Sequence, residues 1–216
     1  MKKVYFFLYC DDSLPWTKWL AKGAIVPYNH IFISLDREMR EAYGFKILGG
    51  CSVVQENIEN YSRRGRCLIT SKEVTDEQYS RLKAYLRSEV GKKYSYDYLG
   101  TFVMVKIASP LYRKYGISLP RALMRKILVN PKKRTCGSFI GLALAHAGIK
   151  LSPEPVEGIP GTMSPFLVTA HTLSRVKELN LTLEYEGTVE GLLSWAGRKT
   201  GGTCEDSEVR FQYSCS

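Results

Sequence analysis

The chain has 216 residues and no apolar run long enough to cross a bilayer: residues 102–111 come nearest, and Lys106 interrupts them. Its opening, Met1-Lys2-Lys3 followed by Val4-Tyr5-Phe6-Phe7-Leu8-Tyr9-Cys10, imitates a signal peptide. The apolar part is short, and Asp11-Asp12 stands where a cleavage site needs small residues. A buried strand is the expected outcome, in a protein of the cytoplasm. The six cysteines include no CxxC pair and no Cys/His spacing of a zinc site. No metal and no cofactor are therefore expected, and in a chain of this size the scattered thiols read as reduced. Repeats are absent, as is the alternating basic and aromatic pattern of a nucleic-acid module, so no specific nucleic-acid partner is expected. Histidine is scarce. There are three, His30, His146 and His171, which limits the candidates for a general base.

What is present is ordinary for a folded domain. Hydrophobic residues make up 44% and charged residues 24%, values that exclude a disordered chain. The length suits one domain, residues 1–196, followed by a polar, Gly-rich tail over 197–216 that reads as flexible. Net charge is +10, from 31 Lys and Arg against 21 Asp and Glu. Such an excess favours an anionic substrate or peripheral contact with an anionic membrane, and the basic residues cluster over 121–134.

The pattern of elements is mixed. Residues 4–9 read as a buried strand, and Leu14-Pro15 opens a short helix through Trp16 and Trp19, closed by Gly23. Over 28–36, Ile31, Ile33 and Leu35 alternate with His30, Phe32 and Ser34, as in a strand with two distinct faces. Residues 39–45 return as its partner, and 51–55 and 66–70 add two more strands. From Thr75 the period becomes helical, with Thr75 and Gln78 spaced as a capping box. A second helix is expected from Tyr94 through Leu99. A third starts at Cys136 with Thr135 as N-cap and stops at Gly148. A short helix after Ser164-Pro165 and a strand over 179–186 complete the reading.

Cys136 lies in the first turn of its helix, with Lys132, Lys133 and Arg134 just upstream. The helix dipole and the cations both favour the thiolate, the nucleophilic form. Position alone equally fits a small buried core residue. His146 is about 15 Å away along the same helix and is no partner for that sulfur. His171 stays open. His30, carried by a strand, is the candidate base, and a thiol with an imidazole is what acyl transfer through a thioester needs. A third polar group would orient the ring; Glu41 or Tyr43 on the returning strand shares the parity expected to face His30.

Tyr28-Asn29-His30-Ile31-Phe32-Ile33-Ser34-Leu35-Asp36, with Glu41-Ala42-Tyr43-Gly44-Phe45, resembles the histidine hairpin of the circularly permuted NlpC-like papain-fold proteins. These are the YiiX-like amidases, related to lecithin:retinol acyltransferase. Thr135-Cys136-Gly137-Ser138-Phe139-Ile140 resembles their nucleophile helix, although many members carry Ser-Glu where this chain has Gly137-Ser138. Ser164-Pro165 and Leu183-Glu184-Tyr185-Glu186-Gly187 are similar to the segments that follow. The resemblance implies an α+β fold, a small antiparallel sheet packed against the nucleophile helix. It also implies a cysteine hydrolase (amidase or peptidase) with Cys136 as nucleophile, His30 as base and Glu41 as third residue. Cell-wall peptides, other amides and lipid esters are the substrates it suggests. The rival readings are a lipid acyltransferase at a membrane surface and a non-catalytic binding protein.

Overall fold

The structure, a computed structural model, describes residues 1–10, 28, 30–46, 51–96, 111, 114–115, 133–156, 159–162 and 164–198. The expected helix with Trp16 and Trp19, the basic residues 121–132 and the tail beyond 198 lie outside these. So do residues 97–110, which hold most of the apolar run. Among the described residues no helix is long and apolar enough to cross a membrane.

The protein is α+β, built on an antiparallel six-stranded sheet. Its strands are β1 (Lys2–Cys10), β2 (His30–Ser34), β3 (Ala42–Lys46), β4 (Ser52–Glu56), β5 (Arg66–Val74) and β8 (Thr182–Thr188). They lie in the order β4-β3-β2-β1-β5-β8. The central strands β1 and β2 are almost wholly buried, so both faces of the sheet must be covered. One face carries Phe6, Leu8, Ile31, Ile33, Tyr43 and Phe45. It packs against Leu82 and Leu86 of helix α1 (Asp76–Glu89) and Phe139, Ile140 and Ala143 of helix α2 (Cys136–His146). The other face carries Phe7, Phe32, Cys67 and Ile69 under Val189 and Leu192 of helix α4 (Val189–Arg198). The period-2 alternation of β2 thus divides its residues between two separate cores.

Helix starts follow the sequence closely. Thr75 accepts from the Gln78 N–H at 3.2 Å while Gln78 returns a bond to the Thr75 N–H, the expected capping box. Thr135 and Ser138 form a second box at the head of α2, at 3.0 and 2.8 Å. Gly148 follows α2 with φ of +70°, a left-handed conformation that ends the helix. The residues after Pro165 form a 3-10 turn (Pro165–Leu167) and then the short helix α3 (Ala170–Ser174).

Three expectations change. Tyr94 does not open a helix: Ser95–Tyr96 forms a short strand, β6, parallel to β7 (Lys133–Arg134) just before the α2 cap. The return strand begins at Ala42 rather than Met39, because residues 35–41 make a wide turn. Met39 sits there at φ +58°, and the Leu35 N–H donates to the Glu41 carbonyl at 3.0 Å. Finally, α4 continues to Arg198, past the start expected for the tail.

Candidate active site

The head of α2 meets the first residue of β2. Gly137 and Gly141 let α2 lie directly on the following segment: a methyl group at Gly137 would strike the Val168 carbonyl, and one at Gly141 the Pro165 carbonyl. This close approach seats the first turn of α2 at the rim of the sheet. Cys136 packs against the core under the helices. The His30 imidazole and the backbone N–H groups of Ile31 and Gly137 lie near the Cys136 sulfur, where each favours the thiolate.

His30 belongs to the opposite face of the sheet, the one that carries Phe32. It is the first residue of β2, and its ring lies beside Cys136. Its side chain is 21% exposed, so some solvent reaches the ring. The Nε2 atom stands 3.4 Å from Glu56 Oε1. That is an ion-pair distance, and it lacks the alignment of a good hydrogen bond. Glu56, the last residue of β4, has a side chain with no exposed surface. Its Oε2 accepts from the Tyr61 hydroxyl at 2.9 Å and pairs with Lys46 Nζ at 3.0 Å.

The charges favour a thiolate beside an imidazolium. Burial by itself would push the Cys136 thiol up. The His30 hydrogen bond and charge, with the two backbone N–H groups, outweigh it and hold the thiol below its ordinary value. Burial would likewise drive a proton off His30, but Cys136 and Glu56 raise its pKa to about 9. Burial opposes the charge of Glu56, yet His30 and Lys46 keep its carboxyl below the usual range. Each member of the group shifts its neighbours toward their charged forms. Such a chain of coupled groups is characteristic of nucleophile activation.

Glu41 is elsewhere, and so is Tyr43. Tyr43 pairs with Ile33, so the odd-numbered residues of β3 share the helix-covered face and not the face of His30. The wide turn sets this register, and a shift of one residue exchanges the faces. Glu41 instead pairs with Lys83 Nζ and Arg87 Nη2 of α1, each at 2.8 Å, and accepts from the Tyr43 hydroxyl at 3.1 Å. The expectation that Glu41 faces His30 is thereby corrected; the carboxylate beside the ring is Glu56.

Sequence reasoning missed Glu56 because it falls one residue beyond the run read as a strand. A signal existed in Gly44. A glycine inside a strand often marks the close approach of another group. Here a methyl at position 44 would strike the Glu56 carboxylate. His146 stacks on Tyr85 with ring centroids 4.6 Å apart, away from the site as expected. His171 lies on α3, and burial and then Arg175 hold its pKa below the ordinary value.

Among the described residues Cys67 and Cys136 are free thiols. Burial pushes Cys67 up to about 12, far from nucleophilic use. Among the described residues no group of three or more His, Cys, Asp or Glu is placed to hold a metal ion.

No protein-family model matches the chain, and no curated protein does. Among solved structures it is similar to a crystal structure of the metalloprotein yiiX from Escherichia coli O157:H7. That similarity stands at 11% identity and a TM-score of 0.49, over 87% of this chain and 98% of that one.

Proposed function

We propose that this chain is a thiol hydrolase that cleaves an amide or ester through a thioester on Cys136, on a circularly permuted papain-like fold. One observation carries the reading: a cysteine in the first turn of a buried helix lies beside a histidine that stands 3.4 Å from a buried carboxylate. The order of parts supports the permutation, since the histidine strand precedes the cysteine helix in the chain.

The chemistry follows from the geometry. In the resting pair His30 holds the thiol proton as an imidazolium, and the Cys136 thiolate attacks the substrate carbonyl carbon. The Cys136 backbone N–H, at the positive end of α2, receives the developing oxyanion. The imidazolium returns its proton to the departing amine or alkoxide as the C–N or C–O bond breaks. That leaves an acyl group on sulfur. Water, deprotonated by His30, then attacks the thioester and regenerates the thiol. Glu56 holds the imidazole in orientation and stabilises its charged form without taking the proton. Glu41 has no part in this scheme.

The test uses a p-nitrophenyl acyl ester, whose leaving group needs little assistance. Intact mass measured during turnover should show one acyl adduct, mapped by digestion to Cys136, and Cys136→Ala should show neither adduct nor burst. Undiminished hydrolysis by that variant, or an adduct on another residue, rejects the reading.

A further inference from the structure

Tyr61 touches two members of the group at once. It follows the 3-10 turn Ile58–Asn60, and its N–H donates to the Ile58 carbonyl at 3.1 Å. Its ring lies nearly parallel to the His30 imidazole, 19° apart with centroids separated by 5.9 Å. Its hydroxyl donates to Glu56 Oε2 at 2.9 Å. The ring itself is wedged among Phe7, Tyr9 and Phe32, with centroid distances of 5.9, 4.7 and 5.6 Å. The Tyr9 hydroxyl accepts from the Ser62 N–H at 3.1 Å and so fixes the chain just beyond it.

We infer that Tyr61 is a positioning residue, which sets the plane of the His30 ring by stacking and turns Oε1 of Glu56 toward it by occupying Oε2. This rests on the function proposed above. Two donors, Tyr61 and Lys46, converge on Oε2, while Oε1 faces His30. A carboxylate held this way cannot rotate about its last bond without losing both. The phenol stays a donor at any working pH, because burial and then the Glu56 charge push its pKa upward. Tyr61 thus acts through Glu56 and His30 and does not touch the substrate itself.

The charged and titratable groups around His30 are Cys136 from α2, Glu56 from β4, Tyr61 from the 3-10 turn and Tyr9 from β1, with Lys46 of β3 acting through Glu56. Removing the Tyr61 hydroxyl frees the carboxylate to turn Oε1 away from His30, so less of its charge bears on the imidazolium. The ring should then lose its proton at lower pH.

The experiment is an NMR titration of the full chain carrying isotope-labelled histidine, with the His30 signal assigned by its loss in His30→Ala. In Tyr61→Phe the ring stack survives while the hydroxyl is lost, and the His30 midpoint should fall by about half a pH unit. Should Tyr61→Phe fail to fold, Tyr61→Trp, which keeps an aromatic face and lacks the hydroxyl, carries the test. A midpoint unchanged or raised in the variant overturns the inference. The function itself is read separately, from the wild type: a wild-type His30 midpoint near the ordinary value for histidine would sink the thiolate-imidazolium pair and leave nothing for Tyr61 to position.

Discussion

Glu56 faces His30 across a glycine: the two side chains come within 3.4 Å because Gly44, on the strand between theirs, leaves the space that the carboxylate fills. This relationship assigns the two glutamates to different jobs. Glu41 is an anchor between β3 and α1, and Glu56 is the buried carboxylate beside His30.

The first prediction separates them. Glu56→Gln should slow thioester formation about tenfold or more, because the amide cannot stabilise the imidazolium as a charge does. Glu41→Gln should leave that rate within about twofold and cost at most about 1 kcal/mol, the worth of an ion pair near the surface. Burst kinetics with the p-nitrophenyl ester measure both. Equal effects from the two variants contradict the assignment.

Stability should depend on pH through the same residue. Glu56 has a folded pKa below its unfolded value near 4.5. The stability it contributes is therefore fully present above about 4.5 and is lost as pH falls through the lowered folded value. At neutral pH Glu56→Gln should be less stable than wild type by about 2 kcal/mol, since Lys46 and His30 lose a buried counter-charge. The gap should close in acid, and urea unfolding at pH 7 and pH 3.5 checks it. A gap that persists unchanged at pH 3.5 assigns the loss to packing instead.

Much of this arrangement was legible in the sequence, and the limits have physical causes. Alternation over residues 30–35 identified a strand with two faces, and Thr75 and Thr135 marked helix starts, because these signals are local. The meeting of Cys136 with His30 depended on family resemblance and on the scarcity of histidine, since no local pattern records a contact between residues 106 positions apart. Glu41 falls away from the face of His30 because strand register depends on turn length. Nothing in residues 35–41 announces that the turn is wide enough to exchange the faces. Helix α4 went unread because Gly191, a poor helix former, interrupts its apolar positions Val189, Leu192 and Leu193.

Glycines at the head and the end of α2 should behave oppositely. Gly137→Ala places a methyl against the Val168 carbonyl, where backbone must move, so it should cost about 3 kcal/mol and impair the Cys136 site. Gly148→Ala meets nothing within 4 Å and suffers only the left-handed backbone, about 1 kcal/mol, with the site intact. Thermal unfolding together with thiol reactivity distinguishes them. Equal costs with equal reactivity would show that close packing of α2 does not place the sulfur.

The most direct measurement is the rate of iodoacetamide alkylation at each cysteine against pH, read by mass spectrometry. Cys136 should react well below the ordinary thiol value near 9, faster at pH 6 than Cys51, and His30→Ala should move its profile up toward that value. A Cys136 profile centred near 9 in the wild type, unmoved by His30→Ala, would contradict the thiolate-imidazolium pair.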